Sequence, residues 1–595
     1  LINCYEKNQD WKDAEYYCND WLKKFHNPMA NIKIVRYLAL QNRQEECLNK
    51  VCELRKSGQE ECLTKEVLFY EVQALKIMGK YGEAIEKGEN LWSKEVSPKI
   101  LFLLAECYYL NVQEQEAIYT LRDGIKKGIK NVEVYQMYAE YNKRISVSES
   151  EKYVKKALIQ SDNDPNVMMW AMNFLYSIGK SDSASELFVK LQALDKVDCF
   201  RTLTFKEAKE WIDKVEEESK KRYEMYMKCQ FPYHLFFDHS GNASYTLYCQ
   251  QLWSNNINNS VGKQLLLTTF GGHHASIEEI KKTLGQAITI DFSSLIHMKH
   301  FEILDDIKSC WNQIVISGNI SNIIASEQNK CLPSQPDMLA AKEKMVATWR
   351  RKPLNYIELP SQNDLKKWVE TGINLGDIVP YELAKCNKLI LVSDNFISDL
   401  LEESYKITDE MRNNVISPYE LLAILEKRGD INSEFKNKYK GGRKLREGNE
   451  LIDTLVGYNG KLPILVDENF LREMFEMDGV SVISQKCNIH VISNIFDNIE
   501  SEMKRVELAK DAYDFLEDLK NDIQEYKEAG YIGYYGFYED EHKRENGIFT
   551  NDFLDLFHYA SLNSHILVCD DRWANSYNNF NDCLISSVAD IVELL

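Results

Sequence analysis

The sequence predicts a helical repeat array followed by two α/β units with parallel sheets. Three observations carry this reading. A small residue recurs every 33 to 37 positions through the first two hundred residues, at Ala14, Cys47, Ala84, Ala117, Ser150 and Ala184. The period is lost near residue 198, where a long charged stretch begins. From residue 286, short apolar runs alternate with helical patterns, and several of the runs stop on aspartate, as in "KLILVSDN" and "HILVCDDR".

The 595 residues exceed what one core can serve, so several domains are expected. With 44% hydrophobic and 28% charged residues the composition is that of a globular chain. No apolar run approaches the ~18 residues of a membrane span, and no signal-peptide pattern is present, so a cytoplasmic setting without membrane contact is expected. The chain opens at Leu1 in what reads as mid-helix, which suggests a piece of a longer polypeptide. Fifteen scattered cysteines without a CxxC pair read as free thiols in a reducing compartment. A formal charge of −20 excludes a basic coat for nucleic acid, although "WRRKP" (349–353) and "KYKGGRKLREG" (438–448) could form local basic surfaces.

In the repeats, apolar residues have helical periodicity, as in "FYEVQALKIMG" and "LFLLAECYYLN", and each turn precedes a small residue where two helices meet. Residues 1–197 resemble a tetratricopeptide-repeat solenoid, whose neighbouring repeats stack to bury one another's faces. The resemblance implies a concave surface for a protein partner or a neighbouring domain. Residues 198–285 read as a connector: one charged helix over 205–229, then a mixture of aromatic strands and turns. His273 and His274 are adjacent, and adjacent strand residues face opposite ways, so they read as a turn rather than a metal pair.

Residues 286–435 form the first α/β copy. "QAITIDFSS" is a strand ending at Asp291, "NQIVISGNISNIIASE" a strand and helix, and "GDIVPYELAKCNKLILVSDN" a helix opening at Asp377 before a strand ending at Asp394. Residues 455–595 repeat the order. "PILVDENF" ends at Asp467, a helix carries Asp497, Glu500 and Glu502, another opens at Asp552, and a strand ends at Asp570 and Asp571. Strand–helix alternation implies parallel sheets, whose ligands bind at the carboxyl ends of the strands.

This order of acids resembles the PIN domain family of metal-dependent nucleases. Asp291-Phe-Ser293 and Asp467-Glu-Asn469 match its first motif, and Ser393-Asp394-Asn395 and Cys569-Asp570-Asp571 its late one. Bacterial proteins that join tetratricopeptide repeats to PIN domains, some with a Gre-like domain, are similar in organisation; no Gre-like segment is visible here. The resemblance implies a Mg²⁺- or Mn²⁺-dependent endoribonuclease, with RNA or single-stranded DNA as substrate and a role in toxin or anti-phage systems. Oxygen-only ligands suit those ions, which activate water for phosphodiester attack. It further implies metal ligands at Asp291, Asp377 and Asp394 in the first copy, and a catalytic set of Asp467, Glu500, Asp552 and Asp570 in the second. Asp497, Glu502, Asp555 and Asp571 are alternatives. The first copy lacks the acid expected on its second helix, Glu327 falling about a turn late, so it also reads as a degenerate copy. The competing expectation is a non-catalytic scaffold in which repeats and PIN-like units bind a protein partner.

Overall fold

The computed structural model describes residues 2–194, 205–230, 232–237, 244–246, 248–249, 275–331, 335–359, 375–393, 414–439, 441, 450–536, 547–577, 579–580 and 583–595. They divide into two compact units. One comprises residues 1–200, 217–333 and 509–595, the other residues 201–216 and 334–508.

The repeat array is made of antiparallel helix pairs. Ile2–Lys7 and Trp11–Phe25 are followed by Pro28–Leu40 with Gln44–Lys56, Lys65–Ile77 with Tyr81–Lys94, and Pro98–Leu110 with Glu114–Lys126. Val132–Asn142 with Val147–Gln160 and Pro165–Ser177 with Ser181–Gln192 complete it. Three of the leading helices start with Pro at the first turn behind an Asn, Ser or Asp cap, where a missing N–H costs nothing. The six periodic small residues are all fully buried at 0% exposure, which explains the period: a larger side chain there would separate the helices. The connector helix spans Phe205–Met227 as expected. The aromatic stretch after it differs from expectation. Tyr233–Phe237 is helical, not a strand. His273 and His274 lie outside the described residues.

Eleven strands build two sheets among the described residues. They are β1 (Ala287–Ile290), β2 (Gln313–Ser317), β3 (Asn355–Ile357), β4 (Ile390–Val392), β5 (Val415–Ile416), β6 (Leu462–Val466), β7 (Cys487–Ile492), β8 (Ile532–Tyr535), β9 (Ile566–Val568), β10 (Asn579–Phe580) and β11 (Cys583–Ser586). The first sheet runs β10-β11-β9-β1-β2-β8 and the second β3-β7-β6-β4-β5. All pairings are parallel except the β10–β11 hairpin.

This order corrects the expected boundaries of 286–435 and 455–595. Neither sheet is built from one copy. The first sheet takes β1 and β2 from the first copy and β8, β9 and β11 from the second, while the second sheet takes β6 and β7 with β3, β4 and β5. In strand order the two sheets are the same, β11-β9-β1-β2-β8 matching β5-β4-β6-β7-β3. The copies are thus real, but they exchange their last three strands. Equivalent details survive the exchange. Asp291 and Asp467 each cap the helix after the central strand, and Ser417 with Glu420 and Ser587 with Asp590 form matching capping boxes after the last strand.

The array fastens to the first sheet through the turns inside its helix pairs. The Tyr81 hydroxyl donates to the Gly318 carbonyl at 2.5 Å, Ser321 Oγ to the Leu110 carbonyl at 3.3 Å, and Lys520 Nζ meets Glu114 at 2.9 Å. The approach is close enough to demand glycine. A Cβ on Gly536 would stand 2.6 Å from the Ile77 carbonyl oxygen, and one on Gly318 2.7 Å from the Tyr81 hydroxyl oxygen. The terminal strand β8 leads directly into this contact, so the array helps cover an edge that would otherwise invite pairing with another chain.

Two outcomes are expected. Tyr81→Phe strands a buried carbonyl and should lower unfolding stability by about 1–3 kcal/mol in urea titration. Replacing residues 334–508 with a short flexible linker should leave the first sheet folded, because Gln328 already reaches Glu517 at 2.8 Å. Truncation after residue 435 should instead unfold it by removing four of its six strands; near-UV circular dichroism separates the two results.

Candidate functional site at the carboxyl edge of the first sheet

At the carboxyl end of β1, Asp291 leaves the strand and caps the helix Phe292–His300. Its Oδ1 accepts from the Ser294 N–H at 2.9 Å, and its Oδ2 from Ser293 Oγ at 2.5 Å and from the Tyr233 hydroxyl at 3.0 Å. Beside it, beyond β9, Asp570 Oδ1 accepts from the Val588 N–H at 2.9 Å while Oδ2 pairs with His297 Nδ1. Asp571 accepts from the N–H groups of Trp573 and Ala574 at 2.8 and 2.9 Å, and from that of Tyr233 at 2.5 Å. At the end of β2, Ser317 Oγ donates to Asp552 Oδ1 on the helix Ile548–Asn563.

These carboxylates are deeply buried, Asp291 and Asp570 at 2% exposure, Asp552 at 9% and Asp571 at 0%. Burial raises the pKa of Asp291 and pushes Asp552 and Asp571 up to about 7, with neighbouring carboxylates adding to the rise. The same burial drives His234 down to about 3. The edge therefore keeps its acids together by hydrogen bonding their oxygens, while burial makes them harder to ionise.

The structure regroups the expected ligands. Asp291 from the first copy meets Asp552, Asp570 and Asp571 from the second. Asp552 lies in the second turn of its helix rather than opening it. Asp555, an expected alternative, is buried on the same helix. Asp467 belongs to the second sheet, at the end of β6, where it accepts from the Phe470 N–H at 2.8 Å and Ser393 Oγ at 2.7 Å. Burial raises its pKa. Asp377 lies in the first turn of the helix Leu375–Cys386, which packs on β4 and β6, and Asp394 lies outside the described residues. Glu500 is corrected: its carboxylate is 45% exposed and paired with Arg350 of the "WRRKP" stretch at 2.7 Å, in the unit that holds Asp467 and not with Asp552 or Asp570. Glu502 pairs with Lys342 and Asp497 is exposed. Glu327 is a buried anchor for Ser244 and Lys330, not a site acid.

Sequence reasoning missed Tyr233, His297 and Ser317. The hydroxyl of Ser317 was visible at a strand end, but nothing local marks Tyr233, whose contacts lie 58 and 338 residues away.

A divalent cation does not fit this arrangement. The aspartates already accept from N–H and O–H donors of the chain, and among the described residues no group of three or more His, Cys, Asp or Glu is placed to hold a metal ion.

No protein-family model matches the chain, and no curated protein does. Solved structures that align with it are repeat proteins. A MamA fragment (41-end) from Desulfovibrio magneticus RS-1 is 14% identical with a TM-score of 0.24, over 29% of this chain and 98% of that one. A thermophilic tetratricopeptide-repeat protein of Thermus thermophilus is 17% identical with a TM-score of 0.23, over 29% and 93%. The TPR2AB domain of yeast Sti1, in its pHSP90 complex, is 13% identical with a TM-score of 0.17, over 32% and 87%. Values this low carry no assignment; the repeat fold rests on the chain's own helix pairs. Among the described residues no helix is long and apolar enough to cross a membrane.

Asp552 and Asp571 titrate near 7 when folded and near 4 when unfolded, so the native state binds more protons across that interval. Their contribution to stability is complete at the acid end and lost as pH rises through about 7. Between pH 6 and 8 the melting temperature should fall by a few degrees, on the order of what one or two kcal/mol produces, and by less in Asp552→Asn.

Proposed function

We propose that the chain is a protein-interaction scaffold built on its repeat array. The observation that carries this reading is that the array already holds a protein domain: its turns seat the first sheet of its own chain through Tyr81, Leu110 and Glu114. The faces of the array away from those turns remain for a partner. They include a groove of about 630 Å³ lined by Trp92, Tyr108, Glu116, Tyr119 and Arg122, and Tyr119 is 69% exposed. Exposed aromatic and arginine side chains beside charged ones are the composition of protein interfaces. The hydrogen bonds that the first carboxylate edge accepts from its own chain agree with a unit that serves structure.

A second reading, a Mg²⁺- or Mn²⁺-dependent endonuclease acting on RNA or single-stranded DNA, is favoured by one observation. Asp291, Asp552, Asp570 and Asp571 come from distant parts of the sequence to one sheet edge, where carboxylates otherwise repel. One experiment separates the readings. The full chain is mixed with labelled single-stranded RNA and Mn²⁺, and crosslinking with mass spectrometry in its native cells maps contacts on the array. The scaffold reading expects uncut RNA and crosslinks to one recurrent partner at 89–145, lost in a Tyr119→Ala/Arg122→Ala variant. Mn²⁺-dependent cleavage abolished by Asp291→Asn would replace it with the nuclease.

A further inference from the structure

The two sheets share one strand order, with β8 ending the first where β3 ends the second, so these outer edges correspond residue by residue. Ile316 of β2 pairs with Tyr534 of β8, and Val491 of β7 pairs with Tyr356 of β3. The bond that closes each ladder also matches. The Gly318 N–H donates to the Tyr535 carbonyl at 3.0 Å, and the Ser493 N–H to the Ile357 carbonyl at 2.8 Å. Tyr356 therefore holds the place of Tyr534, Ser493 that of Gly318 and Glu358 that of Gly536. What covers the first edge is the turn Met78-Gly79-Lys80 of the array. The Tyr81 ring lies 5.3 Å from that of Tyr534, and a Cβ on Gly79 would stand 3.3 Å from the Tyr534 carbonyl oxygen. On the second edge Tyr356 is 53% exposed, and Glu358 and Leu359 are exposed beside it.

We infer that the β3 edge is a self-association surface, occupied by the turn Ile178-Gly179-Lys180 from a second copy of this chain. Among the described residues, this turn and the one seated on β8 are the two that join the helices of a pair through Gly-Lys. Both glycines are left-handed, at φ +75° and +74°. Gly179 and Lys180 are exposed, as is Tyr176 just before them. The residues that differ between the edges set the depth of contact. Gly318 and Gly536 let the array turn approach backbone to backbone, whereas Ser493 and Glu358 hold a turn one side chain further out. Contact at that spacing is made by side chains, and the two surfaces offer complementary ones: Tyr176 for Tyr356, and the Lys180 ammonium for the Glu358 carboxylate. Lys180 can turn to a new acid because Glu151, which it meets at 3.4 Å, is already held by Lys155 at 2.7 Å. Strand addition is the poorer way to cover this edge, since Pro353 precedes β3 and the Glu358 charge follows it. Turn and strand are different surfaces, so the contact is heterologous and either closes into a ring or continues from copy to copy. The inference goes beyond the scaffold reading and uses none of the groove at 89–145, so either can fail alone.

The test is sedimentation velocity of the full chain, taken to about 100 µM so that interfaces of micromolar Kd are populated. Wild type should associate reversibly above the monomer mass. Tyr356 and Glu358 are exposed, so their variants keep the fold. Tyr356→Ala should weaken association about ten-fold or more, as loss of an interface aromatic does. Glu358→Lys should weaken it too, and Glu358→Lys/Lys180→Glu should restore it, because opposite charges again meet across the contact. A wild type that stays monomeric over the whole range overturns the inference. So does association that Tyr356→Ala and Glu358→Lys leave unchanged, or a Glu358→Lys defect that Lys180→Glu does not rescue.

Discussion

The pairing of Ile288 with Ile566 and of Ile290 with Val568 is the contact on which the α/β half of the molecule depends. It places β1 between β2 and β9, so the centre of the first sheet is closed only by a strand from near the end of the sequence. Parallel neighbours always need a crossover. Here one crossover has grown to contain the whole second sheet. The chain leaves after the helix Ile320–Lys330 and returns within the helix Ile495–Glu528, where Cys331 and Ala512 share one hydrophobic cluster. Departure and return lie side by side, which is the geometry an insertion needs.

The same pairing creates the polar problem at the strand ends. Adjacent central strands that both stop on aspartate bring their carboxylates together in a buried place, and burial penalises charge. The molecule answers with donors from four directions: helix N-termini, the serines after β1 and β2, His297, and Tyr233 from the connector. In the second sheet the matching central aspartate, Asp467, is less buried and relies on Ser393 and a helix N–H. In both copies burial raises the pKa of the central aspartate, but among the described residues only the first has an aromatic element from the connector over its edge.

Much of this was legible in the sequence. The repeat period announced the array because each buried Ala, Ser or Cys marks a helix contact that no larger residue could make. Strand ends at Asp291 and Asp467 were legible because an aspartate after an apolar run is a helix cap. The partnership of the strands was not legible, and the reason is specific. β4 and β9 are both Ile-Leu-Val, so no local feature of either says whether it belongs beside β1 or β6. Only contacts far from the pairing, such as those of the array with Gly318 and β8, distinguish the arrangements. Glu500 was misplaced for the same reason, having been grouped with the aspartates of its own copy.

The identical tripeptides have a further consequence for synthesis. On the ribosome β1 and β2 are complete before β4, and β4 precedes β9 by more than 170 residues. At about 5–20 residues per second, β1 waits on the order of ten seconds beside a strand that reads the same as its final partner. The finished topology requires that this earlier match be refused or undone. The molecule is assembled against the order in which it is made, and its biogenesis is the stage at which a holdase has most to offer it.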